Sequence, residues 1–208
     1  FPKQRLLQLT LSGGYNTEAT FRRRETDYAS NTDWLGFDSG RRTLPSEVPS
    51  SKVTSDPEEQ QRLGRRLNTP MNTLRKLTPP NHGLQLVAGD ATKLGSDTKL
   101  GSLLAVTYSH GYERSDVTQR RFRSAIDPDL VVGDDFHGPL ATDSVRWGTF
   151  GSLSLEVSRN HTLSLTGLHS QSASDTAAVL EGTYDNDPRT LVHSQHLEYV
   201  SRALNFVQ

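Results

Sequence analysis

From Arg5 onward, Leu7, Leu9, Leu11, Gly13 and Tyr15 share one parity, while Gln8, Thr10, Ser12 and Asn16 share the other. That period of two is the mark of a strand with one apolar face. It returns at Leu84, Leu86 and Ala88 against Gln85 and Asp90, with Val87 off pattern. The turn-rich stretch Lys93 to Lys99 follows, and then Leu104, Val106, Tyr108 and Tyr112 alternate with Ala105, Thr107, Ser109 and Gly111. The two runs with their compact connection predict a hairpin. The longest run begins at Ser144. Val145, Trp147, Thr149, Leu153, Leu155 and Val157 oppose Arg146, Ser152, Ser154, Glu156 and Ser158, and Phe150 is the exception. Beyond Arg159-Asn160 the pattern resumes with Leu163 and Leu165 against Ser164 and Thr166, which predicts a second hairpin with a tight turn. A last strand, from about Ser194 to Gln208, sets Val200, Leu204 and Phe206 against Tyr199, Ser201 and Asn205. The pattern therefore predicts about six strands.

The connections between them alternate in length: about 60 residues, few, about 30, few, about 20. Outer-membrane β-barrels have this asymmetry, because loops facing the exterior can grow while periplasmic turns stay short. The expected fold is an all-β, antiparallel transmembrane β-barrel. Residues 1–208 form one partial segment of it, with long outer loops at about 22–82, 113–143 and 174–193. On this reading strands one, three and five run outward. Tyr15, Tyr108, Tyr112, Trp147 and Tyr199 then fall near the outer rim, as an aromatic girdle at the headgroup level would. Within the first loop, Asp56 as N-cap, Pro57 at the first helical position and Glu58-Glu59 in the first turn, followed by Leu63 and Leu67, predict one short amphipathic helix. Pro70, Pro79 and Pro80 keep the way back to the barrel irregular.

Composition sharpens this picture. Only 33% of the 208 residues are hydrophobic and the mean hydropathy is -0.61, so a large two-faced dry core is not expected. The net charge of -1 argues against nucleic acid as a partner chosen by bulk charge. With no cysteine there is neither a disulfide framework nor thiol chemistry. No apolar run reaches the ~18 residues of a membrane-spanning helix, which leaves strands as the means of crossing. The chain opens at Phe1 without initiator Met, basic n-region or apolar h-region, and is read as a segment cut at both ends.

Two linked segments resemble the start of the barrel in TonB-dependent outer-membrane receptors: Ser12-Gly13-Gly14-Tyr15-Asn16-Thr17-Glu18-Ala19-Thr20-Phe21, and Asp33-Trp34-Leu35-Gly36-Phe37-Asp38-Ser39-Gly40-Arg41-Arg42-Thr43-Leu44-Pro45. Val145-Arg146-Trp147-Gly148, the run Asn160 to Leu165 and the stretch His196 to Gln208 are similar to later strands of the same group. The resemblance implies a 22-stranded barrel plugged by an N-terminal domain. It implies uptake of a bulky nutrient, such as a siderophore or glycan, energised through the TonB complex. The chain departs from that pattern in having no plug, no TonB box and about six strands. Its expected partners are the remainder of its own barrel and plug, or other chains completing the wall, together with outer-membrane lipid and lipopolysaccharide. The expected location is the outer membrane of a Gram-negative bacterium.

Trp34, Phe37, Asp38, Arg41 and Arg42 in the first loop are the candidate substrate-binding residues, with loop packing as the competing role for those of the family motif. Asp127, Asp129, Asp134, Asp135 and His137 offer hard oxygen ligands at close spacing, but they do not match an EF-hand loop. A solvated acidic loop tip is the favoured reading, and no metal or cofactor is expected. Seven histidines and many serines invite a hydrolase reading. Without Gly-x-Ser-x-Gly or His-Glu-x-x-His, His161 and His169 are better read as strand-end and lumen-facing residues, and the chain is not expected to be an enzyme. The basic runs Arg22-Arg23-Arg24, Arg41-Arg42, Arg65-Arg66 and Arg120-Arg121 could meet the anionic sugars of lipopolysaccharide, or simply pair with nearby carboxylates. The rival to the barrel is a soluble β-sandwich that binds a carbohydrate or a protein partner.

Overall fold

A computed structural model describes residues 5–28, 30–49, 55–67, 72–95, 97–124, 130–158 and 160–208. Among them the elements run β1 (Leu6–Gly14), β2 (Arg23–Thr26), a 3-10 turn (Asp33–Leu35), α1 (Pro57–Gly64), β3 (Leu74–Leu77), β4 (Asn81–Lys93), β5 (Lys99–Ser124), β6 (Leu130–Ser158), β7 (His161–Tyr184) and β8 (Asp187–Val207). The chain is all-β. β1, β4, β5, β6, β7 and β8 form one antiparallel six-stranded sheet in that order, while β2 and β3 form a separate two-stranded ladder. The large sheet is open, with β1 and β8 as its edges.

The two predicted hairpins are present as β4–β5 and β6–β7. α1 starts where its cap predicted, with Asp56 accepting from the Glu58 N–H and Pro57 at the head of the helix. The segments expected as second and third outer loops are different in kind. β5 and β6 remain paired from Lys99↔Glu156 out to Ser124↔Leu130, and β7 and β8 remain paired out to Tyr184↔Asp187. Sequence alternation fades in these extensions because charged and polar residues outnumber the apolar ones there. The sheet continues there on cross-strand charge pairs, Arg120 to Asp135 at 3.1 Å and Arg121 to Asp134 at 3.4 Å. Asp134 and Asp135 are thereby committed to arginines. Among the described residues no group of His, Asp and Glu is arranged to hold a metal, and Asp127 and Asp129 lie outside the described residues.

Register defines the two faces of the sheet, because directly paired residues project to the same side. One face carries Leu9, Leu86, Val106 and Thr149 in a row, with Leu7, Ala88 and Leu104 beside it and Leu153 paired with Leu165 beyond. Towards the hairpin turns this face is open: Leu7 is 71% exposed, Leu163 70% and Leu165 56%. Phe150, which breaks the alternation, belongs to the opposite face. There it lies in a second apolar row, Val87–Ala105–Phe150–Leu168–Phe206. At the other end of the molecule Phe136, Ala178 and Leu180 form a small core, with Val117, Leu140 and Val192 packed against it.

Candidate functional site

In the connection between β1 and β4, β2 and the 3-10 turn fold back on the first of the two faces. The start of the connection is fixed by an Asx turn, in which Asn16 Oδ1 accepts from the Glu18 N–H at 2.9 Å while Thr20 Oγ1 accepts from the Asn16 N–H at 2.9 Å. The β2–β3 ladder then lays Arg24 against the sheet. Its Nη2 donates to Asp143 at 2.7 Å, and its guanidinium sits 5.0 Å from the Tyr112 ring centroid. His110 stacks on Tyr112 with centroids 4.5 Å apart and shares Asp143 with Arg24.

Beyond β2 the segment from Ser30 to Arg42 is knitted to itself. Asp33 accepts from the Ser30 N–H at 2.8 Å, Ser30 donates to Ser39 at 2.9 Å, and Thr32 donates to the Phe37 carbonyl at 2.7 Å. Arg42 is the hub. It binds Asp27 at 2.6 Å, Asp33 at 2.8 Å and Asp38 at 3.3 Å, and it lies 4.1 Å from the Tyr199 ring centroid. Burial alone would push the Arg42 guanidinium down, but the hydrogen bonds and charges of Asp33 and Asp27 outweigh it. The group is therefore held above its ordinary range and stays charged.

The 3-10 turn docks by its backbone carbonyls. Tyr108 donates to Trp34 O at 3.0 Å, Trp147 Nε1 to Leu35 O at 2.8 Å, and Gln171 Nε2 and Ser201 Oγ both to Gly36 O at 2.6 Å. These donors come from β5, β6, β7 and β8. Gly36 makes the fit possible. It stands at φ 76°, in the left-handed region, and a Cβ there would lie 3.2 Å from Gln171, 3.3 Å from Ala173 and 3.4 Å from Val145. Gly36→Ala should therefore cost roughly 1–2 kcal/mol of docking from left-handed strain and crowding. The check is faster proteolysis within the loop at unchanged sheet content by circular dichroism; equal cleavage rates would refute the fit.

The candidate residues are thus brought together, but chiefly in a packing role. Phe37 meets Trp147 edge-on at 6.2 Å, and Asp38 and Arg42 pair with each other. Trp34 is 56% exposed and Arg41 is also exposed, so these two present side chains outward. The aromatics expected as a girdle divide. Tyr15 is 68% exposed. Tyr108, Tyr112, Trp147 and Tyr199 share the loop-bearing face and are engaged by the loop, through hydrogen bonds from Tyr108 and Trp147 and beneath arginines at Tyr112 and Tyr199. There they hold the loop to the sheet.

Sequence reasoning missed Asp143, Gln171, Asp175 and Ser201. A signal was there: each is a polar residue on the parity that elsewhere holds Val145, Ala173 and Trp147. Comparison with known proteins returns no matching family model, no matching curated protein and no matching solved structure.

Proposed function

We propose that this chain is part of the wall of an outer-membrane transport barrel of the TonB-dependent kind. Its loops and lumen would bind a bulky nutrient such as a siderophore or glycan, while a plug and the TonB complex lie outside it. The observation that carries this reading is the exposed apolar band near the hairpin turns. Leu7, Leu9, Leu104, Leu153, Leu163 and Leu165 lie between 46% and 71% exposed on one continuous face. In water such a band is a liability, whereas lipid would cover it. Strand length agrees with it: β5 to β8 run 26, 29, 24 and 21 residues, against the ~10 needed to cross a bilayer, so each could cross and project beyond. The open edges β1 and β8 call for neighbouring strands to complete the wall. On this reading the chain carries no chemistry of its own, and its role is to hold and present the loop.

A second reading has one observation in its favour. The β2–β3 ladder lies across β6 and β7 as a second sheet layer, through Arg24–Asp143 and Thr26–Asp175, as in a small soluble sandwich. Detergent separates the two. The barrel reading expects β-structure and a monodisperse peak only in detergent and only when the flanking wall is supplied. A chain that folds and stays monodisperse without detergent removes that reading and leaves the sandwich.

A further inference from the structure

The face opposite the loop holds a groove of about 700 Å3 that the loop docking does not use. One register row crosses it, Ser12–Gly83–Ser109–Arg146–Ser172–Arg202. Arg146 and Arg202 are each paired with Ser172, from opposite sides, so the two arginines stand about 10 Å apart, two strand spacings, with a hydroxyl between them. Along β7 the same face adds Ser170 and Ser174, and Ser144 lies one step from Arg146 on β6.

Neither guanidinium has an ion pair or hydrogen bond among the described residues, although the arginines of β5, at 114, 120, 121 and 123, each have a carboxylate partner. The nearest carboxylates on the groove's face are Glu113 and Glu198, which share a register row four residues away along β6 and β7. Solvated surface arginines are common. Two of them straddling a serine in a groove with no acid beside it form a more particular arrangement: two planar forks and a central hydroxyl, all of which can donate to one tetrahedral oxyanion.

We propose that this groove binds a phosphate group, with Arg146 and Arg202 clasping its oxygens from two sides and Ser172 donating from below. The assignment does not depend on the membrane reading. The same chemistry could arrive as a phosphorylated solute or as the headgroup of an anionic lipid.

The test uses the full chain, in the medium in which it folds, and titrates inorganic pyrophosphate and, separately, a short-chain phosphatidylglycerol by calorimetry. The wild type is expected to bind at least one of the probes. Arg146→Gln/Arg202→Gln should weaken that binding at least tenfold and Ser172→Ala about threefold, while Arg120→Gln, on the distant β5–β6 extension, should leave it unchanged. Binding of pyrophosphate identifies a soluble ligand, and binding of the phosphatidylglycerol alone identifies a lipid headgroup; both support the site. The proposal falls if neither probe binds at millimolar concentration, or if the double variant binds as the wild type does while its circular dichroism is unchanged.

Discussion

Arg42→Ala is expected to release the loop between β1 and β4 from the sheet. The guanidinium stands among Asp27, Asp33 and Asp38, with side chains only 13% to 23% exposed, and removing it leaves three half-desolvated carboxylates facing one another. Deleting one partner of a buried ion pair costs roughly 3–5 kcal/mol, because the remaining charge has nowhere to go; with this much residual solvent the lower end, about 3 kcal/mol, is the expectation. The variant also loses the guanidinium that lies over the Tyr199 ring. Both tryptophans of the chain, Trp34 and Trp147, sit at the junction and give the readout: a red-shifted emission with new proteolytic cleavage between 27 and 42. Arg42→Lys should recover only part of the loss, because an ammonium cannot present a planar fork to Asp33 and Asp27 together. An alanine variant with wild-type emission and cleavage would show that the carbonyl contacts of Trp34, Leu35 and Gly36 hold the loop alone.

The second large effect belongs to Gly182. In the β6–β7 extension it pairs with Phe136, and a Cβ there would overlap the carbonyl of Asp135 and lie 2.7 Å from Phe136 Cα. Those are backbone atoms, so no rotamer change can make room, and Gly182→Ala must spread the two strands. Overpacking of this kind costs about 1–3 kcal/mol, and the upper end is expected. The loss should be local. Phe136, Ala178 and Leu180, the small core at this end, would lose protection from hydrogen exchange, while the paired region around Trp147 and Gln171 keeps it. Gly167→Ala is the matched control, since its Cβ would meet nothing within 4 Å. Equal protection in the two variants would mean that the extension is not closely paired at Gly182.

The strands that the sequence disclosed are those where one face differs in polarity from the other. Leu7, Leu9 and Leu11, or Leu153 and Leu155, announce themselves by parity, and so does the cap at Asp56. The extensions of β5 to β8 do so less, because their few apolar residues, such as Phe136, Leu140 and Leu180, are spaced out among charged and polar ones; Arg120 and Arg121 opposite Asp135 and Asp134 are strand partners that read, in one dimension, as loop charges. Phe150 looked like an error in a strand and is a member of a row on the other side. The candidate site was half legible. The motif from Asp33 to Arg42 stood out as a unit, but the residues receiving it are spread over four strands, and what draws them together is register, which parity alone cannot supply.

Docking also imposes an order in time. Gly36 O takes its two hydrogen bonds from Gln171 and Ser201, residues 135 and 165 positions further along the chain. The seat of the loop is therefore complete only when β8 has paired with β7, because Ser201 and Tyr199 join Tyr108, Trp147 and Gln171 there. Contacts of such separation are the slow ones in folding. A loop held by all of its contacts thus reports that β8 has arrived in register, and a chain stalled before β8 would lack the Ser201 bond to Gly36 and the Tyr199 ring beneath Arg42.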